Sequence, residues 1–267
     1  MSSSKVAVIT GSNRGIGLAV AKEFAKNGYR IVLNGRSYDR LEKSLLVIKS
    51  LQKESCFCCS DVSTEAGAKQ LIDYAIDSFG RIDVLINNVG ISSRGTVAET
   101  APSVIKQIME SNIYGTVFPT IYAIPEIRKT AGSIVFVSSL AGISGLPYLA
   151  PYSASKMALR AFAESIRIEE RANNIHVGLV LVGATEIEQD KKVIASDGTF
   201  QLLSKRSEKN VLSMASVAKT IFRNTKKRKF LSTMTRLGKI NLLLQAIAPK
   251  VVYYIISFNI HKFKNEN

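Results

Sequence analysis

The first seventeen residues constrain the fold more than any other stretch. Val6-Ala7-Val8-Ile9 is a short, wholly apolar run that meets Thr10-Gly11-Ser12-Asn13-Arg14-Gly15-Ile16-Gly17. Apolar residues then recur at helical spacing through Leu18, Ala19, Ala21, Phe24 and Ala25, and the pattern stops at Asn27-Gly28, a suitable C-cap pair. A strand that is apolar along both faces has to be covered on both, as in a parallel sheet flanked by helices. A strand, a glycine turn and a helix in that order open a βαβ unit.

The alternation continues. Apolar strand patterns are predicted at 31–33, 56–59, 84–86, 133–137 and 175–182, with helical patterns near 39–51, 64–79 and 102–128 and from Tyr152 to about 172. The expected fold is α/β, a doubly wound parallel sheet of Rossmann type forming a single domain over residues 1–200. A hydrophobic and basic C-terminal extension, 201–267, follows it. With 267 residues, there is little room for two full domains.

The glycine turn carries the first chemistry. Gly11 allows the tight turn, Gly15 lets backbone approach a pyrophosphate, and Gly17 lets helix and strand pack closely, leaving the phosphates at the positive end of the helix. Ser12, Asn13, Arg14 and Ile16 complete the expected phosphate-binding turn. A glycine-rich turn without a ligand is the competing reading. At the end of the second strand, a carboxylate would bond the ribose 2′-hydroxyl of NAD, but this chain has Gly35-Arg36, with Arg14 in the turn. Two guanidiniums and no acid favour a 2′-phosphate, hence NADP (NADPH).

Tyr152 and Lys156 stand four residues apart, on one face of a helix. A phenol titrates near 10 in water, and a neighbouring ammonium stabilises its phenolate and brings proton transfer within reach of neutral pH. A surface pair would show the same spacing. With its context the pair means more. Thr10-Gly11-x-x-x-Gly15-x-Gly17, Asp61-Val62, Asn87-Asn88-Val89-Gly90, Asn112, Ser139 and Tyr152-x-x-x-Lys156 occur in order, Ser139 thirteen residues before Tyr152. Over residues 5 to about 185 the chain resembles the short-chain dehydrogenase/reductase family, in its shorter single-domain branch.

The resemblance implies a set of roles. Tyr152 is the general acid for carbonyl reduction, or the base in reverse. Lys156 assists it and binds the nicotinamide ribose. Ser139, rather than its neighbour Ser138, orients the substrate oxygen, and Asn112 holds a water linking Lys156 to solvent. Asp61 and Val62 contact adenine, and Asn88 and Gly90 border the adenosine ribose. Thr185 is the remaining cofactor candidate, although it follows Gly183 by two residues where the family has four, and Val182 replaces the family's proline. Val89 likewise replaces an alanine. The substrate would be a small carbonyl or alcohol, and the assembly a homo-oligomer. A redox-silent NADP-binding sensor or scaffold is the rival reading.

Charge separates the two parts of the chain. The net charge is +15, yet residues 201–267 hold fourteen Lys or Arg against two Glu and account for +12 of it. The run Lys226-Lys227-Arg228-Lys229 is followed by two apolar stretches, 240–248 and 251–260, separated by Pro249-Lys250 and each too short to span a bilayer. Three readings follow. The segment completes the fold and a dimer contact, attaches peripherally to an anionic membrane surface, or binds nucleic acid. The membrane reading is favoured, because Tyr253, Tyr254 and Phe258 lie beside so much positive charge. It would suit a hydrophobic, lipid- or steroid-like substrate. Nucleic acid comes last, with no recognised binding module. Cys56, Cys58 and Cys59 fall in an apolar strand and are expected as buried thiols, neither disulfides nor metal ligands. With no secretory signal pattern at the start, they point to a cytoplasmic setting. The polar stretch 186–210 lies where a substrate lid is expected.

Overall fold

The structure is a computed structural model and describes residues 4–188, 191–203 and 211–264. In chain order its elements are β1 (Val6–Ile9), α1 (Gly15–Lys26), β2 (Arg30–Gly35), α2 (Tyr38–Lys49), β3 (Cys56–Cys59), α3 (Glu65–Phe79) and β4 (Val84–Asn87). Then come α4 (Pro102–Met109), a π-helical turn (Glu110–Tyr114), α5 (Gly115–Thr130), β5 (Ser133–Ser139), α6 (Ala150–Glu169) and β6 (His176–Val182). The last are β7 (Lys192–Ile194), β8 (Phe200–Leu202), α7 (Met214–Lys226), β9 (Leu231–Thr233), α8 (Arg236–Ile247), α9 (Pro249–Phe258) and α10 (Ile260–Lys264).

Seven strands form one parallel sheet in the order β3-β2-β1-β4-β5-β6-β9, while β7 and β8 form a separate antiparallel pair. This is the doubly wound α/β architecture the apolar strands predict. Strand side chains alternate between the two faces. Val6, Val8, Ile134, Phe136, Leu179 and Leu181 enter the core beneath α3, α5 and α6. Ala7, Ile9, Val135, Val137, Val180 and Val182 enter the opposite core, with Phe24 of α1, Leu41 of α2 and Ile221 of α7. Strand order reverses about β1 and β4, so the crevice for a ligand opens beyond their carboxyl ends.

Four details differ from the sequence reading. The division at residue 200 meets no structural boundary. Val217, Ala218 and Ile221 of α7 are buried in the same core as Val20 and Phe24 of α1, and β9 adds a seventh strand. The basic run hid that amphipathic helix. The helical pattern over 102–128 is broken by the π turn at 110–114 and contains Pro119 and Pro125. The lid stretch contains the β7–β8 pair, and its residues 189–190 and 204–210 lie outside the described residues. Of the three free thiols only Cys58 is buried; Cys56 is half-buried and Cys59 exposed, because β3 is the sheet edge.

Candidate active site

The turn between β1 and α1 is held from β4. The Asn88 amide N–H donates to Thr10 Oγ1 at 3.0 Å, and its side-chain Nδ2 donates to the carbonyls of Thr10 and Gly11 at 3.1 and 3.0 Å. Gly11 and Gly15 adopt left-handed φ of 59° and 56°, which side chains disfavour. A Cβ at Gly17 would overlap the Gly11 carbonyl oxygen and stand 2.7 Å from Asn88 Nδ2. The turn therefore brings the N-terminus of α1, with no acid in its first turn, to the crevice. The Gly15 N–H donates to the Glu188 carboxylate at 2.8 Å, and Arg14 Nε stands 3.8 Å from the same group. A carboxylate on that amide is a stand-in anion, so the turn fits a dinucleotide's phosphates.

One cleft of about 620 Å³ is lined by Gly11, Asn13, Arg14, Gly15, Ile16 and Gly17 at this end. Gly35, Arg36, Asp61, Val62, Asn88 and Gly90 continue the wall. Arg40, in the first turn of α2, lies there too, a cation that no sequence motif singles out. Arg36 Nη1 stands 3.4 Å from Asp61 Oδ2, both well exposed. Burial works against the Asp61 charge, but hydrogen bonds from Ser63 and the Arg36 guanidinium hold its carboxyl below the usual range.

Ser139, Tyr152, Lys156 and Thr185 line the other end. The Lys156 ammonium donates to the Val137 carbonyl at 3.2 Å and stands 5.8 Å from the Tyr152 ring centroid. Enclosure first, and then the charge of Lys191, lower its pKa to about 8. Ser138 Oγ donates to the Lys156 carbonyl at 3.2 Å, a contact that fastens β5 to α6, while Ser139 Oγ accepts the Ala141 N–H at 3.2 Å. Thr185 Oγ1 donates to the Gly183 carbonyl.

Two expected residues are not on the cleft wall. Ser12 is turned inward, its hydroxyl donating to Ile9 O at 2.7 Å and accepting the Asn34 N–H at 2.9 Å. Asn112 sits fully buried in the π turn. Its Oδ1 accepts the Ile91 N–H at 2.8 Å, and Nδ2 donates to Ile91 O and to Ser155 Oγ. Ser155 Oγ donates in turn to the Tyr152 carbonyl at 2.7 Å. Gly90 leaves room here, since a Cβ on it would stand 3.1 Å from Lys156 Nζ.

Sequence reasoning missed Arg94, Glu188 and Lys191, and the apolar lining residues Leu146, Leu149, Val193, Leu203, Met214 and Phe263. No local pattern marks them; they meet only when distant segments pack. Among the described residues no cluster of His, Cys, Asp or Glu could hold a metal, and no helix is long and apolar enough to cross a membrane.

An open parallel sheet with a glycine turn at its switch point and Ser, Tyr and Lys at the far end of the same crevice defines a dinucleotide-type oxidoreductase fold. The family model described as short chain dehydrogenase matches residues 5–198. This chain belongs to the short-chain dehydrogenase/reductase family and is an oxidoreductase of that type. The 11-beta-hydroxysteroid dehydrogenase-like 2 of Arabidopsis thaliana is 33% identical over 260 residues, 95% of this chain and 81% of the relative. That likeness continues past Gly198 into the C-terminal part. The alcohol dehydrogenase of Thermococcus sibiricus, solved with 5-hydroxy-NADP, aligns with a TM-score of 0.75 and 25% identity, over 86% of this chain and 95% of that one. A short-chain dehydrogenase/reductase from Burkholderia phymatum, in complex with NAD, shares the fold at a TM-score of 0.81, with 22% identity over 93% of this chain and 95% of that one.

Proposed function

We propose that this protein interconverts a carbonyl and an alcohol, using NADPH as hydride donor for reduction. The observation that carries this reading is that a single cleft has the glycine turn at one end and Ser139, Tyr152 and Lys156 at the other. A bound nicotinamide supplies or accepts the hydride. The chain does the rest. Amides at the start of α1 and the glycine turn hold phosphate, and Arg36, with Arg14 and Arg40 near it, favours a 2′-phosphate. Asp61 and Val62 border adenine, Asn88 and Gly90 the adenosine ribose, and Thr185 the nicotinamide end.

At the reacting end, Ser139 Oγ holds the substrate oxygen and the Tyr152 hydroxyl delivers a proton to it during reduction. Lys156 stabilises the phenolate left behind and bonds the nicotinamide ribose. Asn112 acts from behind, fixing α6 through Ser155 and helping to hold the water that links Lys156 to solvent. Orienting hydride and proton on one carbon–oxygen bond is the source of rate.

The apolar residues among the cleft lining support a hydrophobic, lipid- or steroid-like substrate. The exposed apolar side chains of α8 and α9 with the C-terminal positive charge support peripheral attachment to an anionic membrane surface on the cytoplasmic side, and a homo-oligomer follows the family habit. The test is NADPH and NADH oxidation against carbonyls graded from short and polar to long-chain and steroidal, for the wild type and Tyr152→Phe. The expected result is NADPH-dependent turnover that the variant loses at least about a hundredfold while still binding dinucleotide. Unchanged turnover in Tyr152→Phe refutes the proton-donor role. Binding without turnover in the wild type leaves the sensor or scaffold reading.

A further inference from the structure

The glycine turn is built to present amide hydrogens and a positive helix end to phosphate, yet here a carboxylate takes one of those amides. Glu188 belongs to the segment after β6, more than 170 residues along the chain. Its Oε1 accepts the Gly15 N–H at 2.8 Å, and Oε2 stands 3.8 Å from Arg14 Nε. The carboxylate lines the same cleft as Gly11, Gly17 and Arg36. The first turn of α1 carries no acid of its own, so this favourable charge at its N-terminus comes from across the cleft.

The segment that delivers Glu188 is pinned to the rest of the fold at Glu186. The Glu186 N–H donates to Leu212 O at 2.9 Å, and Glu186 Oε2 accepts the Met214 N–H at 3.1 Å. The Lys191 N–H donates to the Glu188 carbonyl at 3.0 Å, and the Lys191 ammonium bears on Lys156. A carboxylate and a phosphate are both acceptors and both negative. They cannot share one N–H donor, and at such a separation they repel.

We propose that Glu188 is a built-in competitor for the dinucleotide's phosphates. It occupies the Gly15 amide in the cofactor-free protein, has to be displaced when cofactor enters, and so sets the cofactor's affinity. This rests on the dinucleotide reading above and adds a residue which that reading does not use.

The experiment measures dissociation constants for NADPH and for adenosine, which has no phosphate, with the wild type, Glu188→Gln and Glu188→Ala, together with melting temperatures in the absence of nucleotide. Losing a charge-assisted competitor predicts about tenfold tighter NADPH binding in both variants. Adenosine affinity should stay unchanged, and the melting temperature without nucleotide should fall. Glu188→Gln keeps the side chain's size, and its circular dichroism spectrum reports whether the variant is folded. Equal or weaker NADPH binding in a folded Glu188→Gln overturns the proposal, since the carboxylate would then be a clasp or a bystander. Equal tightening for adenosine overturns it too. If the wild type binds no dinucleotide, the reading in the previous subsection fails along with this one; if it binds and the variants bind no tighter, only this inference fails.

Discussion

Lys156 is a fully enclosed ammonium whose pKa is lowered from 10.5 to about 8, first by loss of water and then by Lys191. Between those two values the unfolded chain binds a proton that the folded protein has released. Unfolding therefore takes up a proton there, and stability rises with pH from about 8 to 10.5 by an amount of order 3 kcal/mol. In the proposed reaction the charged form is the useful one, so activity moves the opposite way. We expect kcat/KM for the dinucleotide to fall as pH rises through about 8, while the melting temperature climbs over the same interval. Lys156→Met should separate the two directly. Removing the buried charge is expected to stabilise the protein by roughly 1 kcal/mol or more at neutral pH, net of the lost bond to Val137, while turnover is abolished. A variant less stable than the wild type at pH 7 would show that the ammonium is better satisfied than its burial implies.

Packing between elements decides the shape of the phosphate end. Helix α1 lies close to the β1 turn only because position 17 has no side chain: a Cβ there would overlap the Gly11 carbonyl oxygen and crowd Asn88 Nδ2. Neither neighbour is a flexible chain end, since the first is backbone and the second is bonded to Thr10 and Gly11. Gly17→Ala should therefore push the helix off the strand, costing about 2–3 kcal/mol as overpacking does. It should also weaken nucleotide binding more than it lowers helix content, which calorimetric titration and circular dichroism would reveal. The π turn at 110–114 works similarly for the reacting end. By widening the helix there it accommodates Asn112, whose amide group ties Ile91 on one side to Ser155 on the other.

On the scale of the molecule, charge and exposed apolar surface coincide in the C-terminal helices. Leu237 of α8 is 72% exposed and Phe258 of α9 is 79% exposed, with Leu243, Ile247, Tyr253 and Tyr254 also out in solvent. Of the side chains on α9 only Val252 is buried. Several large exposed apolar side chains on two consecutive helices are the kind of surface that serves as a contact face. Its basic company, Arg236, Lys239 and Lys250, matches an anionic lipid surface. Vesicle flotation should recover the protein with anionic bilayers and lose it as salt rises. Leu243→Glu with Tyr254→Glu should abolish recovery without touching cofactor binding. Indifference to lipid composition, coupled with a dimer broken by the same pair, would assign the face to self-association instead. Not all the basic run is available for lipid: Arg228 bonds the backbone of Ala131 and Asn174.

What the sequence determined by itself is what depends on neighbours along the chain. Strand periodicity, the glycine spacing of the first turn, the Tyr152–Lys156 interval and the excess of Lys and Arg after residue 200 are all local, and each could be read before any folding. The C-terminal boundary was obscured because the basic residues of α7 mask its apolar stripe, which appears only against α1. Ser12 and Asn112 belong to legible motifs, but their inward direction is set by Asn34, Ile91 and Ser155 from elsewhere in the chain. Only the tertiary structure could bring Glu188 to Gly15, and Lys191 and Phe263 to the wall of the same cleft as Lys156. Contacts between residues tens to hundreds of positions apart are selected by the packing of whole elements, and no short-range pattern encodes that choice.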